Sequence, residues 1–213
     1  MSETSEPTLN VAEICTATRA LGPGLRAALW VQGCPLLCPG CIAPDWIPFT
    51  PAHSLTPAQA AARLLANPAV EGITLSGGEP TAQAPALAAM LTLLRAEREL
   101  HVICFSGFPY ETLLRRSPES GVPALLAQLD LLVDGPYLQA RNTGDTFAGS
   151  SNQRLIPLSN RPLPGSGPWT LRRMELLLRE GSILAVGVPP KDWNPAILQA
   201  AALARPTPHP EAR

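Results

Sequence analysis

The chain has 213 residues, a formal net charge of −1 and 46% hydrophobic residues, which suits one domain with a real core and excludes global disorder. Without a run of basic residues it offers no phosphate-tracking nucleic-acid surface, and no apolar run approaches the roughly 20 residues that a membrane span needs. The polar, acidic start MSETSEPTLN has neither the basic nor the apolar region of a signal peptide, and five cysteines, an odd number, fit a reducing cytoplasmic setting better than a disulfide framework.

In chain order, residues 1–8 are expected to be disordered. Leu9 to Thr16 alternates loosely and reads as a first strand. Gly22-Pro23-Gly24 is a turn, and Leu25 to Gln32 reads as a second strand ending at a cysteine-rich loop. Ala43 to Ser54, rich in proline and aromatics, has no period and by position should cover that loop, with Trp46 and Phe49 as candidates to exclude water. Thr56-Pro57 opens a helix, a hydroxyl cap followed by proline in the first turn, and Pro68 stops it. Gly72 to Leu75 is a strand, and Gln83 to Glu97 a helix whose Leu87, Met90, Leu91 and Leu94 fall at i, i+3, i+4 and i+7 on one core-facing stripe. Leu100 to Phe105 and Leu129 to Val133 are strands, with short helices at Tyr110 to Arg116 and Pro123 to Gln128 between them. This alternation has the spacing of βαβ units and predicts an α/β fold with a mostly parallel sheet.

After Asp134 the pattern changes. Gly135 to Gly149 is polar without a helical period, Gln153 to Ile156 reads as a short strand, and Ser159 to Pro168 is a Pro/Gly-rich connector. Arg172 to Leu178 and Ile183 to Val188 predict a hairpin, and Trp193-Asn194-Pro195 opens a short helix to about Ala204. The residues from 205 to 213 should be disordered, leaving 9–204 as a single domain.

The chemistry concentrates in Cys34-Pro35-Leu36-Leu37-Cys38-Pro39-Gly40-Cys41. Soft thiolates spaced C-x3-C-x2-C select zinc or an iron–sulfur cluster over magnesium or calcium. A closed zinc site wants four ligands, and no second pair is at hand: His53, His101 and His209 are scattered, while Cys15 and Cys104 read as small buried hydrophobes in apolar strands. Three cysteines on a [4Fe–4S] cluster leave one iron free for a non-protein ligand. A zinc knuckle that borrows a fourth ligand is the competing reading. The second motif, Ser76-Gly77-Gly78-Glu79-Pro80, follows the strand at Gly72, where open α/β folds bind ligands and where paired glycines allow close backbone approach.

Together the two motifs resemble the radical S-adenosylmethionine (SAM) superfamily, whose cluster loop matches Cys34, Cys38 and Cys41 and whose glycine-rich motif matches Gly77, Gly78, Glu79 and Pro80. Gly22-Pro23-Gly24-Leu25-Arg26, Ser106-Gly107-Phe108, Asp130-Leu131-Leu132-Val133-Asp134-Gly135-Pro136 and Gly149-Ser150-Ser151-Asn152-Gln153-Arg154 narrow the resemblance to the activating enzymes of glycyl-radical proteins, anaerobic ribonucleotide reductase activases especially. The resemblance implies a compact partial (β/α) barrel and a [4Fe–4S] cluster on the three cysteines. SAM would be contacted by Gly40, Cys41, Ile42, Gly77, Gly78 and Glu79, although Gly40 and Ile42 stand where many members carry an aromatic residue beside the third cysteine. It further implies a partner glycyl-radical enzyme and an electron donor of the flavodoxin or ferredoxin type. Gly22-Pro23-Gly24 is then a candidate approach for the partner's glycine loop, and Asp134 and Asn152 are candidates to line the cavity. Competing readings are a radical SAM enzyme acting on a small molecule, such as a 7-carboxy-7-deazaguanine synthase, and a non-catalytic iron–sulfur or zinc protein.

Overall fold

Apolar stretches too short for helices pair into a sheet, and three alanine- or leucine-rich stretches supply its helical cover. The computed structural model describes residues 7–144, 147–165, 169–179 and 182–190. Its main sheet contains β1 (Leu9–Thr18), β2 (Arg26–Val31), β3 (His53–Leu55), β4 (Gly72–Gly77), β5 (His101–Ser106), β6 (Leu131–Asp134) and β7 (Arg154–Pro157). Their spatial order is β3-β1-β2-β4-β5-β6-β7. The four central strands β2, β4, β5 and β6 are parallel to one another, and β1, β3 and β7 pair antiparallel at the flanks. All six residues of β2 are buried, as expected of a central parallel strand covered on both faces.

One face of the sheet carries Ala27, Leu29 and Val31 of β2, Ile73 and Leu75 of β4, Val102 and Cys104 of β5 and Leu132 of β6. Helices α1 (Pro57–Leu64), α2 (Ala84–Glu97) and α4 (Val122–Leu126) cover it; α3 (Tyr110–Leu113) is a single turn. Helix α1 starts on a capping box, in which Thr56 accepts from the Gln59 amide and Gln59 accepts from the Thr56 amide. Helix α2 buries Leu87, Met90, Leu91 and Leu94, the stripe its periodicity predicts. The other face holds Cys15, Ala28 and Trp30 beside Val186, and Ile103, Leu131 and Val133 beside Phe147. Val186 belongs to the hairpin of β8 (Met174–Arg179) and β9 (Ser182–Gly187). Glu175 ties this hairpin to the Thr18 hydroxyl and Arg19 amide, and Arg179 ties it to Glu13.

Two expectations are corrected. The aperiodic stretch Ala43 to Ser54 runs into β3, a three-residue strand on β1 that is too short to show an alternation. Gly22-Pro23-Gly24 lies at the amino end of β2, one strand length (about 20 Å for six residues) from the cysteine loop that leaves its carboxyl end. Pro164 and Gly165 pack against Gly24, and Ile103 and Arg26 against Gly22, so this turn closes the sheet's amino end and is not beside the cysteines. The short helix expected from Trp193 to about Ala204, the tail after it and residues 1–6 lie outside the described residues. No helix among the described residues is long and apolar enough to cross a membrane.

The amino end is organised by Arg26, which is fully buried. Its guanidinium donates to the Thr74 hydroxyl and to the carbonyls of Pro23, Ile73 and His101, across three strand starts. Burial lowers its pKa to about 9, which still leaves it charged at neutral pH. Gly72 is glycine because a Cβ there would strike this guanidinium and the His101 carbonyl.

Candidate functional site

Parallel strands bring all their carboxyl ends to one edge, so the loops after β2, β4, β5 and β6 meet there. The cysteine loop leaves β2 at Gln32, whose side chain donates to the carbonyls of Asp45 and Pro48. The Gly33 and Cys34 amides donate to the Trp46 and Ile47 carbonyls, both at 2.9 Å, so the stretch after the cysteines folds back to hold the loop's first turn. Trp46 leans its ring on Trp30, 5.7 Å between centroids, and Phe49 lies over Gly33 while remaining 65% exposed. Gln83 anchors the loop's foot from the β4 side, donating to the carbonyls of Gln32 and Asn10 and accepting from the Asn10 amide.

The cysteine loop then crosses the other strand ends. The Gly78 amide donates to the Val31 carbonyl at 2.7 Å and the Glu79 amide to the Gly33 carbonyl at 2.9 Å. A Cβ at Gly77, where φ is +110°, would strike the backbone of Val31, and one at Gly78 would strike the Gly33 carbonyl. The paired glycines therefore serve the contact between the two loops themselves. Further along, Leu36 packs directly on Gly107 after β5, and Gln139 after β6 packs against Gly40.

Cys34, Cys38 and Cys41 are half-buried, free thiols, whereas Cys15 and Cys104 are buried in the core. Burial pushes the Cys34 and Cys41 thiols up, against backbone amides that lower them: Leu36 at Cys34 and Ala43 at Cys41, the latter donating to Sγ at 3.4 Å. Such amides favour a thiolate, which is the metal-binding form. The three sulfurs are not drawn to one point; among the described residues no three His, Cys, Asp or Glu side chains are grouped to hold a single metal ion. The donor set fits a cluster, on which each thiolate binds a different iron, better than a one-zinc site needing four ligands around one centre.

The other expected site residues are distributed unevenly. Ile42 is exposed on the loop surface, and the Glu79 side chain is 1% exposed. Asp134 lies at the right edge, but its carboxylate is taken by the Tyr110 amide and by Arg154, which also bridges to Glu111. Asn152 donates to the Pro136 carbonyl, and its own side-chain carbonyl is buried without a partner among the described residues. Gln83, Ser106, Gln139 and Leu36 carry no role in the sequence motifs; Leu36 and Ser106 stand in quoted motifs, Gln83 and Gln139 do not.

A family model described as a 4Fe-4S single cluster domain matches residues 20–156, a span containing both loops and all four central strands. The chain belongs to this family. Among its relatives is an anaerobic ribonucleoside-triphosphate reductase-activating protein of Vibrio cholerae, 29% identical over 62% of this chain and 87% of the relative. The protein of the same name from Enterobacteria phage T4 is 27% identical over 63% of this chain and 85% of the relative. A putative glycyl-radical enzyme activating enzyme of Haemophilus influenzae is 32% identical over 51% of this chain and 42% of the relative. Membership makes an iron–sulfur cluster the cofactor class of this protein.

Proposed function

We propose that this protein is a radical SAM activating enzyme that generates a glycyl radical on a partner, an anaerobic ribonucleotide reductase in the first instance. The observation that carries the reading is the laying of the three-cysteine loop across the glycine loop after β4, at the carboxyl edge of parallel strands. In this reading Cys34, Cys38 and Cys41 hold a [4Fe–4S] cluster, and SAM binds with its methionine end toward Gly77 and Gly78 and its remainder near Gly40, Cys41 and Ile42. The seven-stranded sheet is read as a partial barrel. When bound, the cluster held by Cys34, Cys38 and Cys41 would supply the one electron for reductive carbon–sulfur cleavage of SAM, the chemistry by which a hydrogen atom would be taken from a partner's glycine.

The chain's own residues hold and shield. Three thiols leave one coordination position free, the Leu36 and Ala43 amides steady the sulfur charge, and Trp46 with Trp30 closes the loop's underside against water. Half-exposed thiols on an outer edge suit a protein substrate and an electron donor of the flavodoxin or ferredoxin type. The relatives' names support the partner class.

The test is anaerobic reconstitution followed by reduction with SAM and the partner. About four irons per chain, release of 5′-deoxyadenosine and a glycyl-radical doublet in electron paramagnetic resonance are expected. Stoichiometric zinc without iron binding would overturn the cluster. Robust SAM cleavage without radical transfer to any glycyl-radical protein of the host would instead favour a small-molecule substrate.

A further inference from the structure

Glu79 is the one acidic side chain of the glycine motif, and the obvious role for it is to meet the ammonium group of a bound amino acid. Its surroundings argue otherwise. An ionised carboxylate offers about four acceptor sites, and four donors from within the chain already reach this one, three at Oε1 and one at Oε2, on a residue that is 1% exposed. Oε1 accepts from the Thr81 amide at 3.0 Å, the Thr81 hydroxyl at 2.6 Å and the Ser106 hydroxyl at 2.9 Å. Oε2 accepts from the Gly107 amide at 2.8 Å. The first two bonds curl the β4 loop into the turn Pro80–Gln83; the other two cross to the loop after β5. Ser106 also accepts from the Phe108 amide, which holds its hydroxyl proton toward Glu79. Gly107 in turn bears Leu36 of the cysteine loop, and a side chain there would have to push the tip of the leucine aside.

We propose that Glu79 is a positioning residue, clasped to Ser106 and Gly107, that sets the height of the cysteine loop above the β4 and β5 loops. Ser106 is the second half of the clasp. The path runs from Glu79 to the Gly107 amide, from Gly107 to Leu36, and from Leu36 along two residues to Cys34 and Cys38. The β4 loop is thereby attached to the cysteine loop twice, through the Glu79 amide on Gly33 and through the Glu79 carboxylate on Gly107. This inference rests on the SAM-binding reading for its ligand but not for its geometry. The ligand's ammonium is left to backbone carbonyls of the glycine loop.

Two variants of the cluster-loaded protein test it, Glu79→Gln and Ser106→Ala. In Glu79→Gln the amide oxygen can replace Oε1, which turns the NH2 group onto the Gly107 amide, donor against donor. Affinity is measured for SAM and for 5′-methylthioadenosine, which lacks the amino-acid end, and amide hydrogen exchange at Gly107 is followed without ligand. Glu79→Gln should weaken both ligands by the same factor, about tenfold for a charge-assisted bond, and Ser106→Ala should do so less; both should speed Gly107 exchange. Ser106→Thr, which keeps the hydroxyl, should restore both readouts. The proposal is overturned if Glu79→Gln weakens SAM but spares 5′-methylthioadenosine, or if Gly107 exchange is unchanged. It is equally overturned if Leu91→Ala, a core variant remote from the loops, weakens both ligands as much. If the unaltered protein binds no SAM, the functional reading fails while the exchange measurement still judges the clasp.

Discussion

The two ends of the parallel sheet are built on opposite principles. At the amino end a buried arginine fans its donors over three carbonyls and a hydroxyl, the GPG turn packs shut under Pro164 and Gly165, and Asp130 is bonded to Arg95, Arg161, Ser159 and the Val102 amide. At the carboxyl end the loops hold one another by backbone contacts, and three thiols stay half-exposed with Leu37, Ile42 and Phe49 around them. A closed end whose charged groups are paired stabilises the sheet, even though the buried His101 Nδ1 has no hydrogen-bond partner among the described residues. An end that keeps reactive groups near solvent gives up that stability for chemistry, and its rigidity has to come from the loops.

The sharpest way to separate the ends is to remove ligands. Cys34→Ala, Cys38→Ala or Cys41→Ala should each abolish cluster loading, read as iron content and visible absorbance, while Cys15→Ala and Cys104→Ala should keep it. Equal loss from a core cysteine would break the distinction.

Next in size is Arg26→Met at the closed end. It strips donors from the Pro23, Ile73 and His101 carbonyls and the Thr74 hydroxyl, so urea denaturation should show a loss of about 4 kcal/mol. Iron content per folded molecule should stay unchanged.

The pH dependence of stability belongs to the same end. His101 is 3% exposed; burial, and next the Arg26 charge, lower its pKa to about 4, against the pull of Asp130. Above pH 6.5 the ring is neutral in both folded and unfolded chains. As pH falls from 6.5 toward about 4, the unfolded chain takes up a proton that the folded chain refuses. This group's share of stability, about 3 kcal/mol, is lost over that window. His101→Leu should flatten the acid limb of a melting-temperature profile, and an unchanged limb would remove His101 from the account.

The smallest effect on stability is expected at the open end. Gly78→Ala sets a methyl group against the Gly33 carbonyl and should cost about 2 kcal/mol while lowering cluster loading, because the displaced atom is two bonds from Cys34. Gly135→Ala is the control: its nearest neighbours are 3.9 Å away, so only backbone strain at φ +102° applies and loading should be normal.

Much of the architecture was legible because it is local. The stripe Leu87, Met90, Leu91 and Leu94, the Thr56-Pro57 start and the apolar runs of β2, β4 and β5 each carry their own periodicity or cap, and the cysteine spacing declares a soft-metal loop within eight residues. The limits of the short elements were less legible: α3 ends at Leu113, earlier than the expected Arg116, and β6 begins at Leu131, later than Leu129. Tertiary pairing trims elements whose propensity alone is weak. What only the fold decided is which distant residues meet. Nothing in a string of letters says that the Gly78 position faces the Gly33 carbonyl, that Glu79 is filled by Ser106 and Gly107 from 27 and 28 residues away, or that GPG sits at the far end of the strand that carries the cysteines. These facts follow from parallel crossover connections, which send all strand ends of one kind to the same edge and so set neighbours by topology, whatever their distance along the chain.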